Sequence, residues 1–193
     1  MNIGITGGIG SGKSVVCKVF QAYGISVYDA DTRAKYLMAN HQELIQEIKK
    51  EFGEKAYKNS QLDRVFIAKR VFNNPEKLKK LNGLVHPIVR EDYQNWVEDH
   101  CDEPFTLKEA ALLIETKSYQ ELDKLIVVSA PIQERIRRVK RRDPFRSEDQ
   151  IKQIIDKQLP EGEKIKKADF LIKNDESASI VRQVESLYHS LLK

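Results

Sequence analysis

Short apolar runs and longer stretches of helical period alternate along the chain. Asn2-Ile3-Gly4-Ile5-Thr6, Ile25-Ser26-Val27-Tyr28, Pro104 to Glu109, Lys124 to Ser129 and Ala168 to Lys173 are brief, mostly rich in branched or aromatic residues and bounded by polar ones, and they read as five strands. Val15, Val16, Val19, Phe20 and Tyr23 recur at helical spacing and end at Gly24, a residue suited to a helix C-terminus. A further helix is expected over about 31–39. From about 41 to 103 the pattern is helical throughout. Leu44, Ile45 and Ile48 mark one helix there, Leu62, Val65, Phe66 and Val71 a second, and Leu78, Leu81, Leu84 and Val85 a third that starts at Pro75. Gly83 and Pro87 predict a break, with Val89, Tyr93, Trp96 and Val97 on a fourth. The last helix runs from about Ser177, with Ile180, Val181, Val184, Leu187, Tyr188 and Leu191 on its apolar face.

The first strand leads into Gly7-Gly8-Ile9-Gly10-Ser11-Gly12-Lys13-Ser14, which fits the G-x-x-x-x-G-K-[ST] phosphate-loop pattern. Glycines let the backbone turn and aim N–H groups at phosphate oxygens, and the following helix adds its positive N-terminal end. Strand, loop and helix occur in the order this motif needs, so Gly8, Ile9, Gly10, Ser11, Gly12, Lys13, Ser14 and Val15 are the predicted nucleotide-binding set. Lys13 is placed to reach the terminal phosphates and Ser14 to ligate magnesium. A Rossmann dinucleotide fingerprint suits the spacing poorly.

In an open parallel sheet, ligands bind at the carboxyl ends of the strands. The second strand ends at Asp29-Ala30-Asp31-Thr32-Arg33. Asp31 is a candidate to accept a substrate hydroxyl proton, Asp29 to help hold magnesium through water, and Arg33 to neutralise a substrate phosphate. Helix capping by the same aspartates is the alternative. The helical stretch of 41–103 exceeds one crossover, so part of it is expected to form a substrate-binding subdomain. His86, before Pro87, is either a helix-start residue or a substrate contact, and Glu109 either supports magnesium or is a surface residue.

The run Gln133-Glu134-Arg135-Ile136-Arg137-Arg138-Val139-Lys140-Arg141-Arg142 is the most charged part of the chain, on a helix expected to start near Pro131 and end at Pro144. Such runs are usually solvated faces. After a strand end in a phosphate-loop protein, arginines also suit a lid over a triphosphate, because the planar fork binds two oxygens at once. The lid is expected over about 138–158, with a second arm from Ser147 to Gln158. RNA binding is the rival use, but no aromatic residues are interleaved as a stacking platform would need.

The length of 193 residues suits one α/β domain with an insert. A net charge of +4 favours anionic ligands without demanding nucleic acid. Cys17 and Cys101 are the only cysteines and form no paired motif, which argues against a disulfide framework or zinc and fits a reducing cytoplasm. No apolar run approaches a membrane span, so no membrane partner is expected. No obligate protein partner is indicated.

Taken together, these pieces resemble the dephospho-coenzyme A kinases. The resemblance covers nearly the full length and rests on the phosphate loop, Asp29-Ala30-Asp31 with Arg33, Leu62-Asp63-Arg64 before Val71-Phe72, and His86-Pro87. It continues through Leu112-Leu113-Ile114-Glu115, Arg138, Arg142 with Asp143, Gln158, and Ala168-Asp169 leading to Asn174. It implies a phosphate-loop NTPase-type α/β fold of three layers, with a five-stranded parallel sheet, a helical substrate-binding insert and an arginine-rich helical lid. It also implies transfer of the γ-phosphoryl group of MgATP to the 3′-hydroxyl of dephospho-coenzyme A. Asp31 then looks like the general base, with Lys13, Arg138 and Arg142 steadying the transferring group, Asn174 near the adenine, and Asp29, Arg33, Arg64 and His86 toward the acceptor. The chain departs from the family pattern at Ala111, where Pro is usual, and at Asp175-Glu176, where Gly commonly follows the Asn. The runner-up is another small-molecule kinase on this scaffold, such as one for nucleoside monophosphates. A guanine-nucleotide switch is disfavoured, because neither Asp-x-x-Gly nor Asn-Lys-x-Asp occurs.

Overall fold

A computed structural model describes residues 1–72 and 74–193. The chain forms two compact units, Met1–Asp29 with His100–Lys193, and Ala30–Asp99.

The first unit is built on five parallel strands: β1 (Asn2–Thr6), β2 (Val27–Asp29), β5 (Thr106–Glu109), β6 (Lys124–Ser129) and β7 (Phe170–Lys173). Their order is β2-β5-β1-β6-β7, so the first strand lies at the centre. Ile3 pairs with Leu107 on one side and Lys124 on the other. The period of two divides the apolar residues between the faces. Ile3, Ile5, Leu107, Ile126, Val128 and Ile172 pack with α1 (Lys13–Ala22) and α9 (Ile180–Leu191) through Val16, Phe20, Val184 and Leu187. Leu125 and Val127 join Leu113 and Ile114 in a second cluster, against which Tyr119, Leu122 and Ala168 pack. The helix pair α6 (Ile132–Arg142) and α7 (Glu148–Asp156) has its own small core of Ile136, Val139 and Ile151. Ser147 starts α7 with a reciprocal capping box to Gln150.

The second unit contains α2 (Ala30–Asn40), α3 (Gln42–Phe52), α4 (Arg64–Val71) and α5 (Pro75–Asp99), with Leu37, Leu44, Ile48, Phe52, Ile67 and Val85 in its core.

Four expectations change. The stretch expected to be helical throughout contains an antiparallel hairpin, β3 (Tyr57–Lys58) and β4 (Gln61–Leu62). Its turn residues Asn59 and Ser60 have φ of 50° and 61°, the left-handed pair that fits a two-residue hairpin. Leu62 therefore lies on a strand, and Asp63 caps α4 by accepting the Phe66 N–H. The predicted third and fourth helices are one, α5, running through Pro87. Proline removes the donor that would have met the Gly83 carbonyl; both residues are exposed, and water can serve that carbonyl instead. A short helix not anticipated, α8 (Glu161–Ile165), follows Pro160. The last helix begins at Ile180, because Ser179 supplies its cap.

Candidate active site

Strand β1 ends in the glycine loop, whose carboxyl-edge neighbours within the first unit are Asp29 at the end of β2 and Glu109 at the end of β5. Lys13 begins α1 and its Nζ donates to the Gly7 carbonyl at 3.1 Å, which folds the ammonium back over the loop. Ser14 Oγ donates to Glu109 Oε1 at 3.3 Å. Asp29 and Glu109 are register partners on adjacent strands. Burial pushes the Glu109 carboxyl up; Lys13 acts the other way, and the Asp29 charge adds to the rise. Glu109 is half-buried and bonded, not a plain surface acid. Burial, reinforced by Glu109, also pushes the Cys17 thiol up, so this cysteine is no nucleophile.

The loop is held from behind. The Ile9 N–H donates to Gln158 Oε1 at 2.9 Å, and the Ile9 carbonyl accepts from Arg135 Nε at 3.0 Å. Asn174 Nδ2 donates to the Ser11 carbonyl at 2.8 Å, so this amide braces the loop. The Ser11 hydroxyl oxygen is buried with no hydrogen-bond partner among the described residues. Val15 is exposed on α1 and its N–H bonds the Gly12 carbonyl.

On α6, Arg138 Nη2 donates to the Asn174 carbonyl at 3.1 Å, while its Nη1 is buried without a partner among the described residues. Arg142 is more exposed and makes two 3.0 Å bonds to Asp143. Those bonds raise the affinity of Arg142 for its proton and hold Asp143 below the usual carboxylate range.

In the second unit, Asp31 is exposed in the first turn of α2. Arg33 makes a forked pair with Asp92 and lies 4.8 Å from the Tyr36 ring centre. Arg64 is exposed at the start of α4 and, with Lys35, Lys58, Asn59 and Ser60, lines a concave region. His86 is exposed on α5.

The family is decided by comparison with known proteins. The family model described as dephospho-CoA kinase matches residues 1–179. The chain belongs to the dephospho-CoA kinase family. The dephospho-CoA kinase of Chlorobaculum tepidum is 38% identical over 98% of this chain and 94% of its own length. The Thermus thermophilus protein TT1252 superposes with a TM-score of 0.89 at 34% identity, covering 100% of this chain and 98% of its own. The Campylobacter jejuni dephospho-CoA kinase gives 0.73 at 27%, with coverage of 98% and 96%. Like other phosphate-loop kinases, this family member has α/β architecture with a parallel sheet, and among its described residues no helix is long and apolar enough to cross a membrane.

Sequence reasoning missed two parts of this dephospho-CoA kinase family member. Arg135 was one charge among many, yet it is 6% exposed. Its signal was the helical period, since Arg135 shares a face with Ile136 and Val139. Buried Lys164 pairs with half-buried Glu115, and Lys164 sits on the unforeseen α8.

Proposed function

We propose that the chain transfers the γ-phosphoryl group of ATP to the 3′-hydroxyl of dephospho-coenzyme A, yielding coenzyme A and ADP. Membership of the dephospho-CoA kinase family over residues 1–179 carries this reading. The glycine loop, Lys13 and the arginine-bearing α6 supply the cradle and positive charge that phosphoryl transfer requires.

In this reading the loop from Gly8 to Val15 cradles the donor phosphates, with the Ile9 N–H given to Gln158, and Lys13, Arg138 and Arg142 spread positive charge around the transferring group. The pair α6 and α7 serves as lid, and the second unit, with Arg64 and His86, serves the acceptor. Asp31 accepts the proton of the attacking hydroxyl; its support is its exposed position two residues beyond Asp29, at the start of α2. Arg33, oriented at the start of α2 by its pair with Asp92, serves the acceptor as a partner for a substrate phosphate. Asn174 acts on the donor side by bracing Ser11.

A magnesium site fits the residues present. Ser14, Asp29 and Glu109 offer hard oxygen donors, and Glu109, half-buried beside Asp29, carries negative charge that a divalent cation would relieve. No cluster of three or more acidic, histidine or cysteine ligands occurs among the described residues, which suits a cation that takes only one or two carboxylates and completes its shell with water and phosphate. When bound, magnesium would neutralise charge on the donor phosphates. The two cysteines, Cys17 buried and Cys101 exposed, are both free, which agrees with a cytoplasmic setting.

The test is ADP release by purified protein with ATP, magnesium and dephospho-coenzyme A. Turnover should depend on dephospho-coenzyme A. Equal rates with adenosine monophosphate would instead favour a nucleoside monophosphate kinase, and acceptor-independent hydrolysis would reject both.

A further inference from the structure

One guanidinium lies beneath the glycine loop, on its protein side. Arg135 projects from α6, and its side chain is 7% exposed. Its Nε donates to the Ile9 carbonyl at 3.0 Å, its Nη2 is 3.5 Å from Gln158 Oε1, and its Nη1 is 3.6 Å from Glu161 Oε2. Gln158 Oε1 in turn accepts the Ile9 N–H at 2.9 Å. Both polar groups of residue 9 are therefore bound from the protein side. The Ile9 side chain packs against the Ile136, Val139 and Ile151 cluster of α6 and α7.

The glycines beside it record how close this contact is. A Cβ on Gly8 would fall 2.1 Å from Arg135 Nη2, and one on Gly10 would fall 2.5 Å from the Arg135 carbonyl oxygen. Gly10 also has φ of 78°. These two glycines make room for the arginine and its backbone as well as for the turn.

We propose that Arg135, acting with Gln158, is a positioning residue for ATP: together they fix the backbone on both sides of Ile9 so that the phosphate cradle is formed before the nucleotide arrives. The inference rests on the kinase reading for its assay, though not for its geometry. The Ile9 N–H is spent on Gln158, so the N–H groups left to the phosphates are those further along the loop. Their direction follows from the two consecutive peptide planes that meet at Ile9, one held by Gln158 through its N–H and the next by Arg135 through its carbonyl. A guanidinium suits the place because it is always charged and reaches three acceptors in one plane, with Glu161 balancing its charge. A lysine has the charge without the fork. Because Gln158 follows α7 and Arg135 lies on α6, both helices are tied to the loop at Ile9.

The test separates the two substrates. Arg135→Met keeps much of the buried volume and removes the donors. It should raise KM for ATP at least tenfold, with KM for dephospho-coenzyme A unchanged within twofold. Gln158→Leu should move KM for ATP in the same direction by less, and the double variant should be no worse than Arg135→Met alone, since both act at Ile9 and the two side chains contact each other. Arg135→Lys should recover part of the loss. A merely structural arginine would lower Tm and affect both KM values alike; that result, additive effects, or tighter ATP binding in Gln158→Leu would overturn the proposal. If Arg135→Met fails to fold, Gln158→Leu alone gives the ATP readout. Calorimetric titration with ATP reads the same tenfold change without any acceptor, so a wild-type protein inactive on dephospho-coenzyme A would reject the kinase reading and leave this result standing.

Discussion

Lys164 Nζ lies 2.7 Å from Glu115 Oε1, and the Lys164 side chain is 2% exposed. The same carboxylate oxygen accepts the Leu159 N–H at 3.0 Å, so one acid secures both α8 and the chain just before it. Burial on its own pushes the Glu115 carboxyl up, but the hydrogen bonds from Lys164 and Leu159 outweigh it and hold the carboxyl below its ordinary value. Removing one partner of such a pair strands the other, typically at a cost of about 3–5 kcal/mol. Lys164→Met should therefore lower stability by roughly that amount in urea unfolding. Glu115 binds a proton less readily folded than unfolded, so its contribution is present above the ordinary glutamate value and lost as pH falls through the lowered one. Wild-type stability should decline in that acid window, and the decline should be shallower in Lys164→Met.

Glu109 has the opposite sign. Burial first, then Asp29, makes it bind a proton more readily in the folded state, with Lys13 only partly offsetting. Its effect on stability is fully favourable below the ordinary glutamate value and is lost as pH rises through the raised one. Glu109→Gln should therefore unfold at a higher temperature than wild type at neutral pH without added metal. The same change should raise the magnesium concentration needed for half-maximal turnover. A stabilised variant with unaltered magnesium dependence would remove Glu109 from the metal site.

Asp31→Asn is expected to lower kcat by about 10²–10⁴, the usual contribution of a positioned base. Calorimetry should find ATP affinity unchanged. Near-normal kcat would leave Asp31 as a first-turn residue of α2 and nothing more.

Glu176 holds φ of 67° in the turn that follows Asn174. A left-handed residue other than glycine costs about 1–2 kcal/mol, and glycine returns part of that through the freedom of the unfolded chain. The ion pair from Glu176 to Arg137 is exposed and contributes little. Glu176→Gly should therefore stabilise the protein by roughly 0.5–1 kcal/mol. A loss of stability on thermal unfolding would show that the surface pair matters more than the backbone.

The parts legible in the sequence were those with local signatures. Gly7 to Ser14 combines a spacing, a preceding apolar strand and a following helix, and all three appear as read. Lys124 to Ser129 is apolar on both faces, as a strand covered on both sides must be. What escaped depends on partners distant in sequence. Arg135 is indistinguishable from its charged neighbours until Ile9, Gln158 and Glu161 are brought to it. The hairpin at Asn59-Ser60 is too short to show a period, and Pro87 reads as a helix break unless its exposed side is known. The bond from Asn174 to Ser11 was likewise invisible, because only the folded chain brings the two together.

The position of β1 has a consequence for how the chain folds as it is made. This strand precedes both of its neighbours in the finished sheet, β5 and β6, which begin at Thr106 and Lys124. The whole of Ala30–Asp99 must therefore emerge before β1 meets either of them. Ala30–Asp99, whose contacts are local, has no such wait and is the natural first piece to condense. The nucleotide cradle is encoded ahead of that unit and assembled late, when Asn174, Gln158 and Arg135 have all arrived to hold it.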